Sequence, residues 1–363
     1  DLLDAVKAEE KVENIDGRYE VDDTESLKEE MKDQTDSNYL EKIMQSLKLL
    51  EANSSMYLSE EGLATYSPKF LKILSNIKDE KNIGLHLFYS QFRTIEGVGV
   101  FSLVLKENGF VQFKIKKDET DNWTVDISDK DKDKDKPKFV LYTGTESVEE
   151  KEILRKIYNS QWDDIPLKIK EYVTEISTNN ELGDIIKLFI ITASGAEGIS
   201  LKNTRFVHIC EPYWHPVRTE QVIGRAKRIC SHDSLPEELR TVDVYIYLME
   251  FSKEQLESDI SIELRLHDTS KLDSKTPITS DEALFELSNI KENITRQLLT
   301  AVKETSIDCA LHNNEKESLA CYNFGNPTPD KFSFIPSIEN DEVDKVAKLN
   351  VKTETFSAKK VSI

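Results

Sequence analysis

One block of sequence, residues 187–230, restricts the possible folds of this chain more than any other. It opens with KLFIITAS (187–194), an almost continuous apolar run that favours a central parallel strand covered on both faces. The loop GAEGISLKN follows, then a second apolar run, RFVHICE (205–211), and beyond a predicted helix a third, TVDVYIYLM (241–249). Strands alternating with helices predict a parallel α/β sheet, whose ligands bind beyond the carboxyl ends of the strands. We expect Gly195, Gly198 and Ser200 at such an end.

The predicted helix between the second and third runs contains QVIGRAKRI (221–229). At about 100° per residue, Gln221, Arg225 and Arg228 fall within an arc of roughly 60°. Two planar guanidinium groups at one spot suit phosphate oxygens. Gly224 costs about 1 kcal/mol relative to alanine, which indicates that something approaches the helix closely there. A second, apolar arc is expected to face a core and comprises Val222, Ile223, Ala226, Ile229 and Cys230.

The charge of this block is opposite to that of the whole chain. The 363 residues include 48 Lys or Arg and 68 Asp or Glu, a net charge of -20, so the chain as a whole would repel nucleic acid. Any contact with nucleic acid must therefore be local. Residues 202–230 provide such a place, because six basic residues there face only Glu211 and Glu220. The six are Lys202, Arg205, Arg218, Arg225, Lys227 and Arg228.

The cysteines and the hydropathy of the sequence indicate the cellular compartment in which the protein is expected. The four cysteines form no CxxC pair, which fits a reducing compartment better than a disulfide framework. Cys309, His312 and Cys321 have a faint metal-ligand spacing but no fourth ligand, so the default is a core cysteine and no metal site is predicted. No run of 18 apolar residues and no signal-peptide pattern occurs. We therefore expect an intracellular protein without a membrane partner.

A resemblance to a known family rests on these same segments. ITASGAEGISL, followed after about twenty residues by QVIGRAKRI, resembles motifs V and VI of superfamily-two helicases, and HLFYSQF lies where motif IV is expected. VHICEPYWHPVRTEQVIGRAKRI is most similar to the Snf-type branch. Together with ICSHDSLPEELRTVDVYIYLM, TSDEALFELS and AVKETSIDCALH, it resembles the Snf-like helicases of nucleocytoplasmic large DNA viruses, mimivirus-like ones in particular, whose relatives include the poxvirus early transcription factor ATPase. The resemblance covers about residues 39–335.

The resemblance implies a RecA-like lobe, the second of the two that such enzymes use. The expected fold is α/β, a parallel sheet flanked by helices with an inserted β-hairpin and helical or irregular extensions. The predicted divisions are an acidic linker (1–38), a helical connector (39–80), the RecA-like domain (81–252), a helical bracing extension (253–312) that begins from a capping box at Thr279 and Glu282, and an irregular tail (313–363).

The family's functional residues carry over position by position. In the family, ATP sits between two lobes and the motif VI arginines reach its phosphates, which implies catalytic roles for Arg225 and Arg228. The nucleotide-binding positions would be Gln221, Gly195, Glu197, Gly198 and Ser200. The positions implied for contact with the phosphate backbone of DNA or RNA are Thr192, Ser194, Ser90, Gln91, Thr143 and Gly144.

The sequence departs from the family pattern in what it lacks. It contains no G-x-x-x-x-G-K-[ST] phosphate loop and no apolar strand ending in an Asp-Glu pair that would hold Mg²⁺. DEAL (281–284) resembles such a pair by letters only, since it opens a capped helix. ATP and Mg²⁺ would thus be held mainly by a missing first lobe of the same polypeptide, and we expect no ATPase activity from this chain alone.

Two alternatives remain beside the ATPase hypothesis. One is a non-catalytic scaffold or binding module of a viral transcription complex, in which case the partners would be viral transcription machinery. The other is the nucleotide-sugar lobe of a glycosyltransferase, which gives no reason for Gln221, Arg225 and Arg228 to share an arc. A viral protein of this kind would act in the host cytoplasm, at the viral factory, or in the virion.

Overall fold

The computed structural model describes residues 36–93, 97–127, 133–143, 146–193, 198–257, 278–306, 309 and 319–321. The chain divides into two compact units, residues 1–285 and 286–363. The predicted acidic linker and irregular tail lie almost entirely outside the described residues, so both stay predictions.

Within the described residues, four helices precede the first strand. They are α1 (Asp36–Ala52), α2 (Ser54–Tyr57), α3 (Glu60–Tyr66) and α4 (Pro68–Lys78). The hydroxyl of Ser59 accepts the Gly62 N–H and caps α3. Pro68 occupies the first turn of α4, as the sequence predicts, where its missing N–H costs nothing. Ser67 precedes it as the N-cap residue, although its side chain makes no capping bond.

Six strands form the main sheet, in the order β2-β5-β6-β1-β7-β8. All five neighbouring pairs are parallel, which confirms the predicted parallel α/β sheet. β6, the strand of the apolar KLFIITAS run, is fully buried near the centre. The strands are β1 (Leu85–Tyr89), β2 (Val111–Gln112), β5 (Lys138–Tyr142), β6 (Leu188–Ile191), β7 (Thr204–Ile209) and β8 (Asp243–Ile246).

The predicted hairpin is present but shorter than its two alternating segments, FVQFKIKK (110–117) and WTVDI (123–127), suggest. β3 (Ile115–Lys117) and β4 (Trp123–Val125) pair antiparallel. Val111 and Gln112, the start of the same alternating segment, instead pair with β5 as the edge of the main sheet. Residues 110–117 therefore contribute to two sheets.

Helices cover both faces of the main sheet, and each face has its own core. One face packs against α6 (Val148–Tyr158), α7 (Leu167–Ile176) and α8 (Pro216–Ala226), with Leu87, Phe189 and Val207 at its centre. The other face packs against the four N-terminal helices and α5 (Val98–Glu107) around Phe88 and Ile190. α5 ends before Gly109, which takes φ +91° as a helix-terminating glycine does.

Further helices follow the sheet. α9 spans Lys253–Glu257 and α10 spans Ser280–Glu304. The predicted capping box of α10 is confirmed: Thr279 N–H donates to Glu282 Oε2 at 2.8 Å, and Glu282 N–H donates to Thr279 Oγ1 at 3.2 Å. DEAL thus opens a helix, as expected. No helix within the described residues is long and apolar enough to cross a membrane.

The second unit contradicts the expectation of unpaired cysteines. Cys309 and Cys321 form a disulfide with Cα atoms 5.6 Å apart, a separation that a disulfide spans readily. Cys210 and Cys230 are free thiols. Spacing along the chain did not indicate this pairing, because the two partners lie twelve positions apart and form no recognised cysteine motif.

Candidate functional site

The predicted site residues occupy two different ends of the sheet. Ser90 and Gln91 follow β1, Thr143 follows β5 and Thr192 follows β6, and these three strands are neighbours. The carboxyl ends of parallel strands meet at one edge, so the fold brings these four residues to the same edge. Ser194, Gly195, Glu197 and Gly144 lie outside the described residues.

A carboxylate that sequence reasoning missed organises this edge. Glu211, two residues after β7, accepts the Ser90 hydroxyl at Oε1 (2.9 Å) and the Gln91 N–H at Oε2 (3.2 Å). Burial raises the pKa of Glu211, and hydrogen bonds from Cys210 and Ser90 oppose the rise. We call Ser90, Gln91, Thr143, Thr192 and Glu211 the carboxyl-edge cluster. An acid at the end of the apolar run RFVHICE was the available signal.

Thr143 is held in the same way by Glu146. Its N–H donates to Glu146 Oε2 at 2.7 Å and its hydroxyl to Oε1 at 3.0 Å. Thr143 and Thr192 are each only 3% exposed. The hydroxyls of Thr143 and Ser90 are therefore committed to carboxylates within the protein. A phosphate contact by either hydroxyl would require that bond to be released.

Gln221 and Arg225 lie on α8 as predicted, but Arg228 does not. α8 ends at Ala226, two residues before Arg228. The Ser231 hydroxyl donates to the terminal Ala226 carbonyl at 3.0 Å, which satisfies a group that a continuing helix would have bonded. We call residues 225–231 the arginine turn. The prediction that Gln221, Arg225 and Arg228 share one arc of a helix was therefore wrong for Arg228.

The same helix end corrects the predicted apolar arc. Val222 and Ala226 are buried against the sheet, as expected. Ile229 is 96% exposed and Cys230 is also exposed, because both follow the end of the helix. Beside Gly224 no described atom lies within 4 Å of where a Cβ would be, so the space there is open.

Arg228 is anchored to the loop that follows β6. Its Nη2 donates to the Ile199 carbonyl at 2.8 Å, and its Nε lies 3.4 Å from the Gly224 carbonyl. The main chain adds a bond from Leu201 N–H to the Arg225 carbonyl at 3.1 Å. The glycine loop and the arginines, predicted to form one site, are thus in direct contact. Gly198 lies at the start of this contact, exposed and with φ +72°.

This contact lies at the amino end of β7, not at a carboxyl end. The Ser200 carbonyl accepts the Asn159 side-chain N–H at 2.9 Å, and Asn159 directly follows α6. The neighbouring Tyr158 hydroxyl bonds Thr204, the first residue of β7, at 2.9 Å. The expectation that Ser200 lies at a carboxyl end was wrong, because Ser200 is bonded to Asn159 beside the first residues of β7.

A buried polar chain lies between the two ends of the sheet. His86 Nδ1 is 2.9 Å from His208 Nε2, and His208 Nδ1 is 2.8 Å from the Tyr247 hydroxyl. Burial lowers the pKa of His208 to about 3 and holds that of His86 well below its usual value, with the neighbouring His208 adding to the effect. Both rings are fully buried, and burial disfavours the charged form of each.

The described residues do not suggest a metal centre. No group of three or more His, Cys, Asp or Glu side chains within them could hold a metal ion. Of the faint Cys309, His312 and Cys321 pattern, the two cysteines are paired with each other and His312 lies outside the described residues.

The comparisons with known proteins give one class of relatives for this chain, viral proteins named as ATP-dependent RNA helicases and termination factors. No family model matches the chain. The chain is a distant homologue of RNA helicases and NPH-I homologues of nucleocytoplasmic large DNA viruses, at 27 to 30% identity.

Three of these relatives illustrate the range. "Putative ATP-dependent RNA helicase R350" of Acanthamoeba polyphaga mimivirus is 27% identical over 266 residues, which are 72% of this chain and 27% of the relative. A second mimivirus protein, R563, is 29% identical over 249 residues, 69% of this chain and 34% of the relative. "Termination factor NPH-I homolog" of African swine fever virus (isolate Tick/South Africa/Pretoriuskop Pr4/1996) is 30% identical over 272 residues, 70% and 34% respectively. The chain spans about a third or less of each relative.

Among solved structures, the C-terminal part of the Fun30 ATPase domain aligns with 82% of this chain and 73% of its own, at 15% identity. The TM-score of 0.34 is too low to establish a shared fold.

Proposed function

We propose that this chain is the arginine-bearing lobe of a nucleic-acid-dependent ATPase, a helicase or translocase of the Snf type. The observation that supports this most directly is the anchoring of Arg228. A backbone carbonyl holds the guanidinium beside the glycine loop, yet the side chain stays exposed. Such a cation is fixed in place and still available to an anionic ligand from a neighbouring lobe.

In this proposal Arg225 and Arg228 neutralise charge on the γ-phosphoryl group as it leaves. Gln221, Gly198 and Ser200 lie nearby on α8 and on the adjoining loop, with Gly195 and Glu197 in the same loop. An arginine finger supplies about 10³ to 10⁵ in rate, or roughly 4 to 7 kcal/mol of the barrier. Loss of Arg228 should therefore nearly abolish hydrolysis.

The arginine turn fits a polyphosphate better than a metal ion. Its charged side chains are the cations Arg225, Lys227 and Arg228. We propose that Mg²⁺ is held mainly by carboxylates of the other lobe, where it would offset charge on the β- and γ-phosphates. The phosphate loop that this sequence lacks belongs to that lobe too, so the 363-residue chain alone should not hydrolyse ATP.

Nucleic acid is the proposed track, contacted through its sugar-phosphate backbone and not by base reading. The candidate contacts are the carboxyl-edge residues Ser90, Gln91, Thr143 and Thr192, with Ser194 and Gly144 beside them. The relatives' names, RNA helicase and termination factor, support a nucleic acid substrate and leave viral transcription machinery as a candidate partner.

The test is nucleic-acid-stimulated ATP hydrolysis by a polypeptide that carries both lobes. Arg228→Ala should lower kcat by about 10³ or more, while Arg296→Ala, an exposed arginine on α10, should leave it unchanged. The 363-residue chain by itself should show no turnover. Activity of the isolated chain, or an Arg228→Ala enzyme with normal kcat, would contradict the proposal. The second result, with complex assembly intact, would favour the scaffold alternative.

A further inference from the structure

A cavity of about 330 Å³ lies between the arginine turn and the edge strand β8. One part of its wall is apolar and comprises Ile223, Val242 and Val244. The other part is basic and comprises Lys227, Arg228, His232 and Arg240. A small pocket with an apolar wall and a few convergent polar groups is the usual form of a small-ligand site.

Two cations of this wall, Arg228 and Arg240, are fixed by carbonyl groups. Arg240 Nε donates to the Leu235 carbonyl at 2.8 Å and Nη2 to the Asp233 carbonyl at 2.9 Å. The His232 ring, also in this wall, donates from Nε2 to the Thr204 carbonyl at 2.8 Å. Arg228 is held by Ile199 as described above.

None of these bonds cancels charge. Across the part of the chain that the structure describes, no carboxylate oxygen lies within 4.0 Å of the side-chain nitrogens of Lys227, Arg228 or Arg240. A guanidinium has five N–H groups, and Arg240 uses two of them on carbonyls. In a chain of net charge -20, this wall holds three cations that form no ion pair among the described residues.

We propose that this pocket binds a phosphate group, with Arg240 and Lys227 as binding residues in addition to Arg228. The apolar wall of Ile223, Val242 and Val244 receives the organic part attached to the phosphate. The inference deepens the proposed function and rests on it through the shared Arg228. A phosphate could belong to a free nucleotide or to the backbone of a strand, and the two sources share this chemistry.

The first measurement uses tripolyphosphate as the probe and the whole 363-residue chain, with binding followed by titration calorimetry. Arg240→Gln should weaken binding about tenfold, since a hydrogen bond to a charged group is lost. Lys227→Gln should weaken it about threefold, as befits an exposed charge. The matched controls Arg296→Gln and Lys81→Gln, both exposed cations elsewhere, should leave the dissociation constant unchanged.

The second measurement identifies the source of the phosphate by competition. If the ligand is a nucleotide, ATP displaces tripolyphosphate and a twelve-residue oligonucleotide, roughly the site size of one module, does not. If the ligand is a nucleic-acid strand, the oligonucleotide displaces tripolyphosphate. Arg240→Gln then lowers the slope of log K against log salt concentration for oligonucleotide binding by about one. Either displacement supports the pocket.

Absence of tripolyphosphate binding, or binding that is equal in wild type, Arg240→Gln and Lys227→Gln, overturns the proposal. Lys227→Gln keeps the test decisive if Arg240→Gln fails to fold, because the exposed Lys227 side chain makes no hydrogen bond within the described residues. These assays measure binding by one lobe. An inactive two-lobe enzyme with normal tripolyphosphate binding would contradict the proposed function alone.

Discussion

The carboxyl-edge cluster and the arginine turn are both polar, but their hydrogen-bond donors have different kinds of partner. At the carboxyl edge, the buried hydroxyls of Ser90 and Thr143 donate to the carboxylates of Glu211 and Glu146. At the arginine turn, the exposed guanidinium of Arg228 donates to a carbonyl. A carboxylate partner removes a donor from use, whereas a carbonyl partner positions a cation without neutralising it. The first region should therefore matter most for stability and the second for binding.

The largest stability effect should come from Glu211→Ala. The substitution removes the acceptor of the Gln91 N–H and leaves the Ser90 hydroxyl only its longer bond to the Phe92 carbonyl, at 3.2 Å. An unsatisfied buried donor costs about 1–3 kcal/mol, so the free energy of unfolding should fall by roughly 2–5 kcal/mol. Urea denaturation of the 363-residue chain measures it.

Three variants sharpen the contrast with the arginine turn. Arg228→Ala and Glu220→Ala change exposed side chains and should alter stability by no more than about 0.5 kcal/mol. Glu211→Gln keeps an acceptor oxygen and should fall between the alanine variant and wild type. If Arg228→Ala proves as destabilising as Glu211→Ala, the distinction between the two regions is mistaken.

The next effect is a loss of stability in mild acid, through the histidines that lie between the two regions. Burial lowers the pKa of both His86 and His208 in the folded state. The two neutral histidines contribute fully to the free energy of unfolding above the unfolded-state pKa of about 6.5. As the pH falls towards the folded-state pKa values, the unfolded chain binds more protons than the folded one, and this contribution is lost.

Each histidine contributes about 1.4 kcal/mol per pH unit, so stability should fall by about 3 kcal/mol per unit below pH 6. Denaturation series at pH 7, 6 and 5 follow this change. His86→Gln should show about half the wild-type slope. Equal slopes in the two proteins would mean that other groups control the acid response.

The smallest effect should come from Asn159→Ala at the amino end of β7. Asn159 donates to the Ser200 carbonyl and accepts the Lys202 N–H at 2.8 Å, which fixes the loop that anchors Arg228. We expect a loss of about 1–3 kcal/mol, read from the same denaturation assay. Asn289→Ala, an exposed asparagine on α10, is the matched control and should be neutral within about 0.5 kcal/mol. A neutral Asn159→Ala would show that the loop holds its place without this side chain.

Much of the fold could be predicted from hydrophobic pattern. The run at 187–194 identified β6 as a central strand because burial on both faces demands continuous apolar residues. Thr279 with Glu282 identified the start of α10, where both capping-box hydrogen bonds form. The hydrophobic pattern could not show that Val111 pairs with β5 in the main sheet and not within the hairpin. A strand in either place would have the same alternating sequence.

The site was less predictable, because it depends on where elements end. The calculated arc required the helix to continue through Arg228. The helix ends at Ala226 instead, where the Ser231 hydroxyl bonds the last carbonyl. Glu211 and Arg240 were not singled out because their roles arise from partners more than a hundred residues away or from backbone carbonyls. Neither kind of partner is visible in local spacing.

The loop that leaves β6 has a mechanical consequence. Thr192, at its start, lies at the carboxyl ends of the strands. Ile199, further along, is bonded to Arg228 at the amino end of β7. The backbone between Thr192 and Ile199 therefore links the carboxyl-edge cluster covalently to the arginine turn. The Ile199 carbonyl and the Arg228 guanidinium can move apart only if the hydrogen bond between them breaks.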